Sequence, residues 1–190
     1  MAFRKSIPAL FLLVSLLLCV LSGSCAEGEE ECPLLGEWAF DYEPETAVFR
    51  LEEDGTAWYR NQTWVWKDQK GFLLLTDSEG SELRLRYLAE EQKTVIYQQT
   101  SYHRGKAVEG QGGLIGIWEG VSDGSTFVFT PAGYFLEDSA FSGQFLNNSE
   151  EGTFLLHYGE VFEDTLCYYS ISDDEILTVE YPWPIVRTKN

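Results

Sequence analysis

Hydrophobic positions alternate with polar ones over short stretches of this chain, and turn-forming pairs interrupt the alternation every few residues. Phe49-x-Leu51, Trp64-x-Trp66, Leu83-x-Leu85-x-Tyr87 and Phe127-x-Phe129 carry the period of two that marks half-buried strands. Between such stretches fall Asp54-Gly55, Glu79-Gly80, Asp123-Gly124, Asn147-Asn148 and Tyr158-Gly159, which read as hairpin turns. Asp173-Asp174-Glu175, just ahead of Ile176-Leu177-Thr178-Val179, reads as one more turn, because it lacks the spaced oxygens of a calcium loop. No window carries a helical stripe. The pattern therefore predicts an all-β fold of short antiparallel strands, a sandwich or a barrel.

The pattern also occurs twice. Leu35-Gly36-Glu37-Trp38 returns 80 positions later as Ile115-Gly116-Ile117-Trp118. Phe49-Arg50-Leu51 with Gly55 is answered by Phe127-Val128-Phe129 with Gly133, and Gly71-Phe72-Leu73-Leu74-Leu75 by Gly152-Thr153-Phe154-Leu155-Leu156. Thr94-Val95-Ile96-Tyr97 matches Thr178-Val179-Glu180-Tyr181, and each copy ends on an arginine, Arg104 or Arg187. A duplicated unit fixes architecture before any residue-level reading. Residues 35–104 and 114–190 are expected to form two tandem small antiparallel barrels or meanders of about seven strands each, joined by a glycine-rich linker at 105–113. One larger sheet system with a shared core is the alternative. Two separate units are favoured because each copy has its own Trp and arginine.

A Gly-x-Trp that opens the first strand, antiparallel strands after it and a late arginine together resemble the lipocalin superfamily. Each copy is similar to the small bacterial lipocalin-like domains found in lipoproteins. The resemblance implies that the tryptophan closes one barrel end with the arginine packed across it. Gly36, Trp38 and Arg104 would serve the first copy, and Gly116, Trp118 and Arg187 the second. Lipocalins that hold a ligand build longer strands around it; units this short are expected to be filled by their own side chains.

The first 26 residues read as a signal peptide: Arg4 and Lys5, then an apolar run from Ile7 to Leu21, then small residues. Cleavage after Ala26 would release a soluble protein. Leu21-Ser22-Gly23-Ser24-Cys25 also resembles a loose bacterial lipoprotein signal, which would make Cys25 a lipid attachment site and residues 27–34 an acidic tether. The expected location is the bacterial envelope, at the outer membrane or cell surface, with a secreted or periplasmic soluble form as the alternative. Of the other cysteines, Cys32 and Cys167 are left to pair in that compartment, or Cys167 stays a buried thiol.

Composition narrows function by exclusion. The chain has 31 acidic and 13 basic residues, a net charge of −18, and Arg4 and Lys5 would leave with the signal. Nucleic-acid binding needs a basic patch, so it is not expected. Neither is docking on an anionic membrane; the lipid anchor is the one membrane contact expected. Such charge keeps an aromatic-rich β protein soluble and monomeric. The two histidines, His103 and His157, share no motif, and Ser139 and Ser142 lack the strand–turn–helix setting of a nucleophilic serine. No phosphate-binding loop or zinc-spaced cluster is present. The chain is read as a non-enzyme with no cofactor and no metal. It is expected to act as a protein-interaction or structural module with an unknown protein partner, or alternatively as a lipocalin-like binder of a small apolar ligand. In either reading Trp58, Trp64 and Trp66 are the candidate surface, with core packing as the plainer use of the same rings. Asn61-Gln62-Thr63 and Asn147-Asn148-Ser149 match the glycosylation pattern, which carries meaning only in a eukaryotic host.

Overall fold

A computed structural model describes residues 32–90, 93–106 and 110–188. The expected signal peptide, Cys25 and residues 27–31 of the expected acidic tether lie outside these residues. Every strand belongs to the unit that starts at Pro33. Leu34, at the end of the expected tether, is fully buried in it.

Fourteen antiparallel strands make up this unit, seven per copy. The first copy contributes β1 (Gly36–Phe40), β2 (Ala47–Leu51), β3 (Thr56–Tyr59), β4 (Gln62–Asp68), β5 (Phe72–Thr76), β6 (Glu82–Glu90) and β7 (Lys93–Arg104). The second contributes β8 (Gly116–Gly120), β9 (Thr126–Phe129), β10 (Tyr134–Glu137), β11 (Phe141–Asn148), β12 (Thr153–His157), β13 (Thr165–Ile171) and β14 (Ile176–Arg187). The turns use aspartate side chains as much as glycine. Asp54 Oδ1 accepts the Thr56 amide at 2.9 Å, Asp123 Oδ1 accepts that of Ser125 at 3.0 Å, and Asp77 Oδ1 holds both Glu79 and Ser81. These bonds hold the Asp54 and Asp123 carboxyls below their ordinary pKa. Asn147-Asn148, expected as a turn, instead ends β11, and the chain reverses over the next four residues.

The expectation of two separate barrels is corrected. All strands form one sheet that closes in a ring, and a long ladder between β7 and β14 crosses it, from Ile176↔His103 to Ile185↔Thr94. The cause is strand length. β7 and β14 each have 12 residues, about 40 Å of extended chain, more than one short meander can pair. The first part of β7 therefore pairs with β6 (Tyr87↔Ile96) and its end with β8 of the other copy (Arg104↔Trp118). β14 does the same, with β13 (Tyr168↔Glu180) and then β1 (Trp38↔Arg187). Each half of the ring is thus a circuit of six strands of its own, closed by β7 and β14 held in common.

The register makes position 96 equivalent to 179 and 104 to 187. Gln98 then pairs with Tyr181, its own equivalent, so the ladder has a pseudo-two-fold centre there. Around that centre, on the outer face, Arg86 bonds Glu180 at 2.5 Å and lies 3.7 Å over the Tyr168 ring, which meets Tyr97 edge-on at 5.3 Å.

Inward residues fill each half separately. The first core is largely aliphatic, with Leu34, Leu51, Leu73, Leu75, Leu85 and Ile96 around Trp38 and Phe49. The second is aromatic: Phe127 stacks on Phe129 at 5.1 Å, and Phe129 meets Phe145 and Phe154 at 5.0 and 5.2 Å. Cys167, paired with Phe154, is a free thiol in this core, fully buried between half-exposed neighbours. The Cys32–Cys167 bridge is not formed, and alternation on β13 places the Cys167 thiol in the second-half core. Burial pushes the Cys167 thiol well above its ordinary pKa.

Candidate functional site

Each circuit is capped at its outer end by a tryptophan beneath an arginine, with the partners exchanged. Trp38 lies under Arg187, guanidinium carbon to ring 4.2 Å, and Trp118 under Arg104 at 4.1 Å. The expected pairs, Trp38–Arg104 and Trp118–Arg187, do not form, because each long strand crosses into the other circuit before its arginine is reached. Both indoles donate to the carbonyl four residues earlier, Trp38 Nε1 to Leu34 O and Trp118 Nε1 to Leu114 O, each at 2.8 Å. Arg187 donates to Leu35 O, and Arg104 to Ile115 O and Gly113 O. The glycine of Gly-x-Trp now has a physical reason. Gly36 and Gly116 have φ of +100° and +148°, and a Cβ on either would run into the stacked arginine. Glu175 bonds Arg104 at 2.9 Å, so one cap also carries an ion pair.

The candidate tryptophans do not share a surface. Trp64 is buried and Trp66 half-buried on the inward face of β4, their indoles donating to Tyr59 O and Glu52 O. Trp58 alternates with buried Ala57 and Tyr59, so it lies on the opposite face. His103 sits 3.4 Å from Glu119 and His157 2.5 Å from Asp164, each at a half-exposed surface pair. Among the described residues, no three His, Cys, Asp or Glu side chains are grouped to hold a metal, and no helix is long and apolar enough to cross a membrane.

Among the described residues, the cleft that joins aromatic rings to half-buried titratable groups belongs to the second half, and sequence reasoning passed it over; a larger, more open groove of about 670 Å³ lies in the first half along Leu35, Gly36, Leu51 and the acidic turn Glu52, Glu53 and Asp54. The second-half cleft measures about 500 Å³. Gln98, Thr100 and Tyr102 of β7 form one wall, which runs along the strand away from Arg104, so the cleft lies at the end opposite the Trp118 cap. Tyr181 and Trp183 of β14 extend that wall, Glu137 ends β10 beneath it, and Phe141 and Phe162 form an exposed rim.

A hydrogen-bonded chain runs through it. Tyr158 O–H donates to Glu137 Oε2 at 3.0 Å, and the Tyr158 and Tyr181 hydroxyls are 2.9 Å apart. A phenol has one proton to give, so with Tyr158 donating to Glu137, Tyr181 must donate to Tyr158. Burial raises the Glu137 carboxyl above its ordinary pKa, against the Tyr158 bond, which lowers it. Burial likewise raises both phenols and pushes Tyr102 up to about 12.

The first half shows how the cleft arises. Phe49 pairs with Tyr59, and Ala57 with Trp64; in the second half Phe127 pairs with Glu137, and Phe135 with Gly143. Glu137 thus stands where the first copy has Tyr59, and Phe135 with Gly143 where it has Ala57 with Trp64. Of these exchanges the one at Glu137 lines the cleft; at Gly143 a Cβ would meet the His157 carbonyl and the Phe135 ring, so Phe135 takes up the space there. The Trp64 indole and the Tyr59 ring fill the first interior, and the Tyr59 hydroxyl is the buried polar atom left without a partner among the described residues. Compared with protein-family models, curated proteins and solved structures, the chain matches none. Function must be argued from this cleft.

Proposed function

We propose that this chain is an exported, non-catalytic binding protein of the bacterial envelope that holds a small ligand in the second-half cleft. One observation carries the reading: a concave site of about 500 Å³, half of whose lining residues are aromatic, in which a few polar groups converge, Glu137 with the hydroxyls of Tyr158 and Tyr181. Ligand sites have this size and makeup. In the first half Trp64 and Tyr59 are buried in the interior, whereas the cleft of the second half supports the ligand-binding alternative. Export through residues 1–26 and anchoring at Cys25 remain part of the proposal on the sequence alone.

The non-catalytic reading rests on the chemistry present. Glu137 is bonded to one phenol, Tyr158, whose pKa burial raises, and among the described residues no activated nucleophile lies beside it. A protein-interaction role has one observation in its favour: Leu146, Leu155 and Leu166 form a cross-strand row on the outside of β11, β12 and β13, and Leu146 is 71% exposed.

The cleft is tested with a neutral fluorophore, N-phenyl-1-naphthylamine, titrated into the wild type and into Glu137→Tyr, which copies Tyr59 of the first half. Saturable one-to-one binding that Glu137→Tyr weakens at least about tenfold is expected. Equal binding by both proteins would move the site elsewhere and end this reading.

A further inference from the structure

The cleft has a chemical bias that its aromatic walls alone do not account for. Among the described residues its lining contains three carboxylates, Glu137, Asp138 and Glu163, and no lysine, arginine or histidine. Glu137 is half-buried, and among the described residues only Tyr158 bonds its side chain, through Oε2. Oε1 is left for an occupant. A carboxylate withdrawn from water is costly unless a positive or hydrogen-bonding group meets it, and the protein supplies one phenol. The rings around it add to the same sign, since aromatic faces are negative and attract cations within about 6 Å of the ring centre. The carboxylates are not grouped to hold a metal. A neutral ligand would leave Glu137 uncompensated, and an anion would face three like charges.

We infer that the cleft binds an organic cation, an amine or quaternary ammonium with an apolar body, its charged group at Glu137 and its body against Trp183 and the rim rings Phe141 and Phe162. The inference rests on the small-ligand reading above. Duplication supports it by contrast: the equivalent of Glu137 in the first half is Tyr59, in a filled interior. The charge is therefore not something the fold requires at this position.

The test is calorimetric titration of the full chain with three probes of one shape: 4-phenylbutylammonium, 4-phenylbutanol and 4-phenylbutanoate. The cation should bind at least about tenfold tighter than the alcohol, and the acid weakest. Glu137→Gln should bring cation and alcohol to within about twofold of each other. Glu163→Gln changes an exposed rim residue with little risk to folding, and should weaken the cation about two- to fivefold while leaving the alcohol unchanged. An alcohol that binds as tightly as the cation to the wild type, or that loses as much in Glu163→Gln, overturns the cation proposal and leaves the small-ligand reading standing. If none of the three binds, the cation proposal falls; if N-phenyl-1-naphthylamine does not bind either, the small-ligand reading falls with it.

Discussion

In the first half of the ring, Trp64 and Tyr59 occupy the interior beyond the aliphatic core, whereas in the second Glu137 stands at the position of Tyr59 and lines a cleft. Caps, strand number and register are otherwise shared. What separates a filled unit from an open one is a handful of inward side chains, on a backbone that does not change its plan. Fold and site are thus set by different residues. The caps and long strands determine closure, and β3, β4 and their counterparts decide whether anything else can enter.

The strongest way to break this comparison is to remove a cap. Trp118→Ala takes away a side chain with no exposure and should cost about 3–5 kcal/mol; Trp38→Ala, 6% exposed, should cost slightly less. Because β7 and β14 serve both circuits, urea unfolding followed by fluorescence and circular dichroism should show one shared transition in each variant. Two separated transitions would mean that the halves fold independently and the common ladder is not cooperative.

The partner exchange gives a sharper and smaller test. A double-mutant cycle between Trp38→Leu and Arg187→Met should return a coupling of about 0.5–1 kcal/mol, and the cycle between Trp38→Leu and Arg104→Met a value near zero. Coupling in the second cycle instead of the first would restore a cap within each copy.

The smallest effect concerns protons. Burial holds Glu137 above the ordinary carboxyl value of 4.5, so the folded state binds its proton more tightly than the unfolded chain does. That contribution to stability is fully present below the unfolded pKa and is lost as pH rises through the folded one. Glu137→Gln should therefore melt above the wild type at neutral pH, and the gap should close as pH falls below 4.5. Melting curves that stay parallel across this range would show that the carboxyl is not desolvated.

Much of the fold was legible in the sequence for a local reason. Period-two alternation and aspartate turns act over a few residues, and the doubled Gly-x-Trp marked both caps. Two things were not legible. Arg104 and Arg187 sit at the ends of strands whose 12 residues outrun a single unit, and which strand covers the excess is a tertiary matter. The second is a slip of one residue. Matching Tyr97 to Tyr181 by sequence puts both on one face, but the ladder makes Gln98 the equivalent of Tyr181, and Tyr97 the equivalent of Glu180. A one-residue shift reverses every side chain in a strand, and so Tyr181 was not recognised as facing inward. Glu137 was within reach: Phe135-x-Glu137 sets a carboxylate on the inward face of a strand, a signal that a count of aromatics overlooks.

The crossing of β7 and β14 has a consequence for ancestry. A chain with one copy alone would leave the edge of its long strand bare and its tryptophan uncapped, and a second such chain, turned about the Gln98–Tyr181 centre, would supply both. The duplicated protein has the form of a symmetric dimer written into a single polypeptide. In a true dimer any substitution appears on both sides of the axis. A joined chain is free of that constraint, and here the two sides differ: Tyr59 fills one interior where Glu137 lines a cleft in the other.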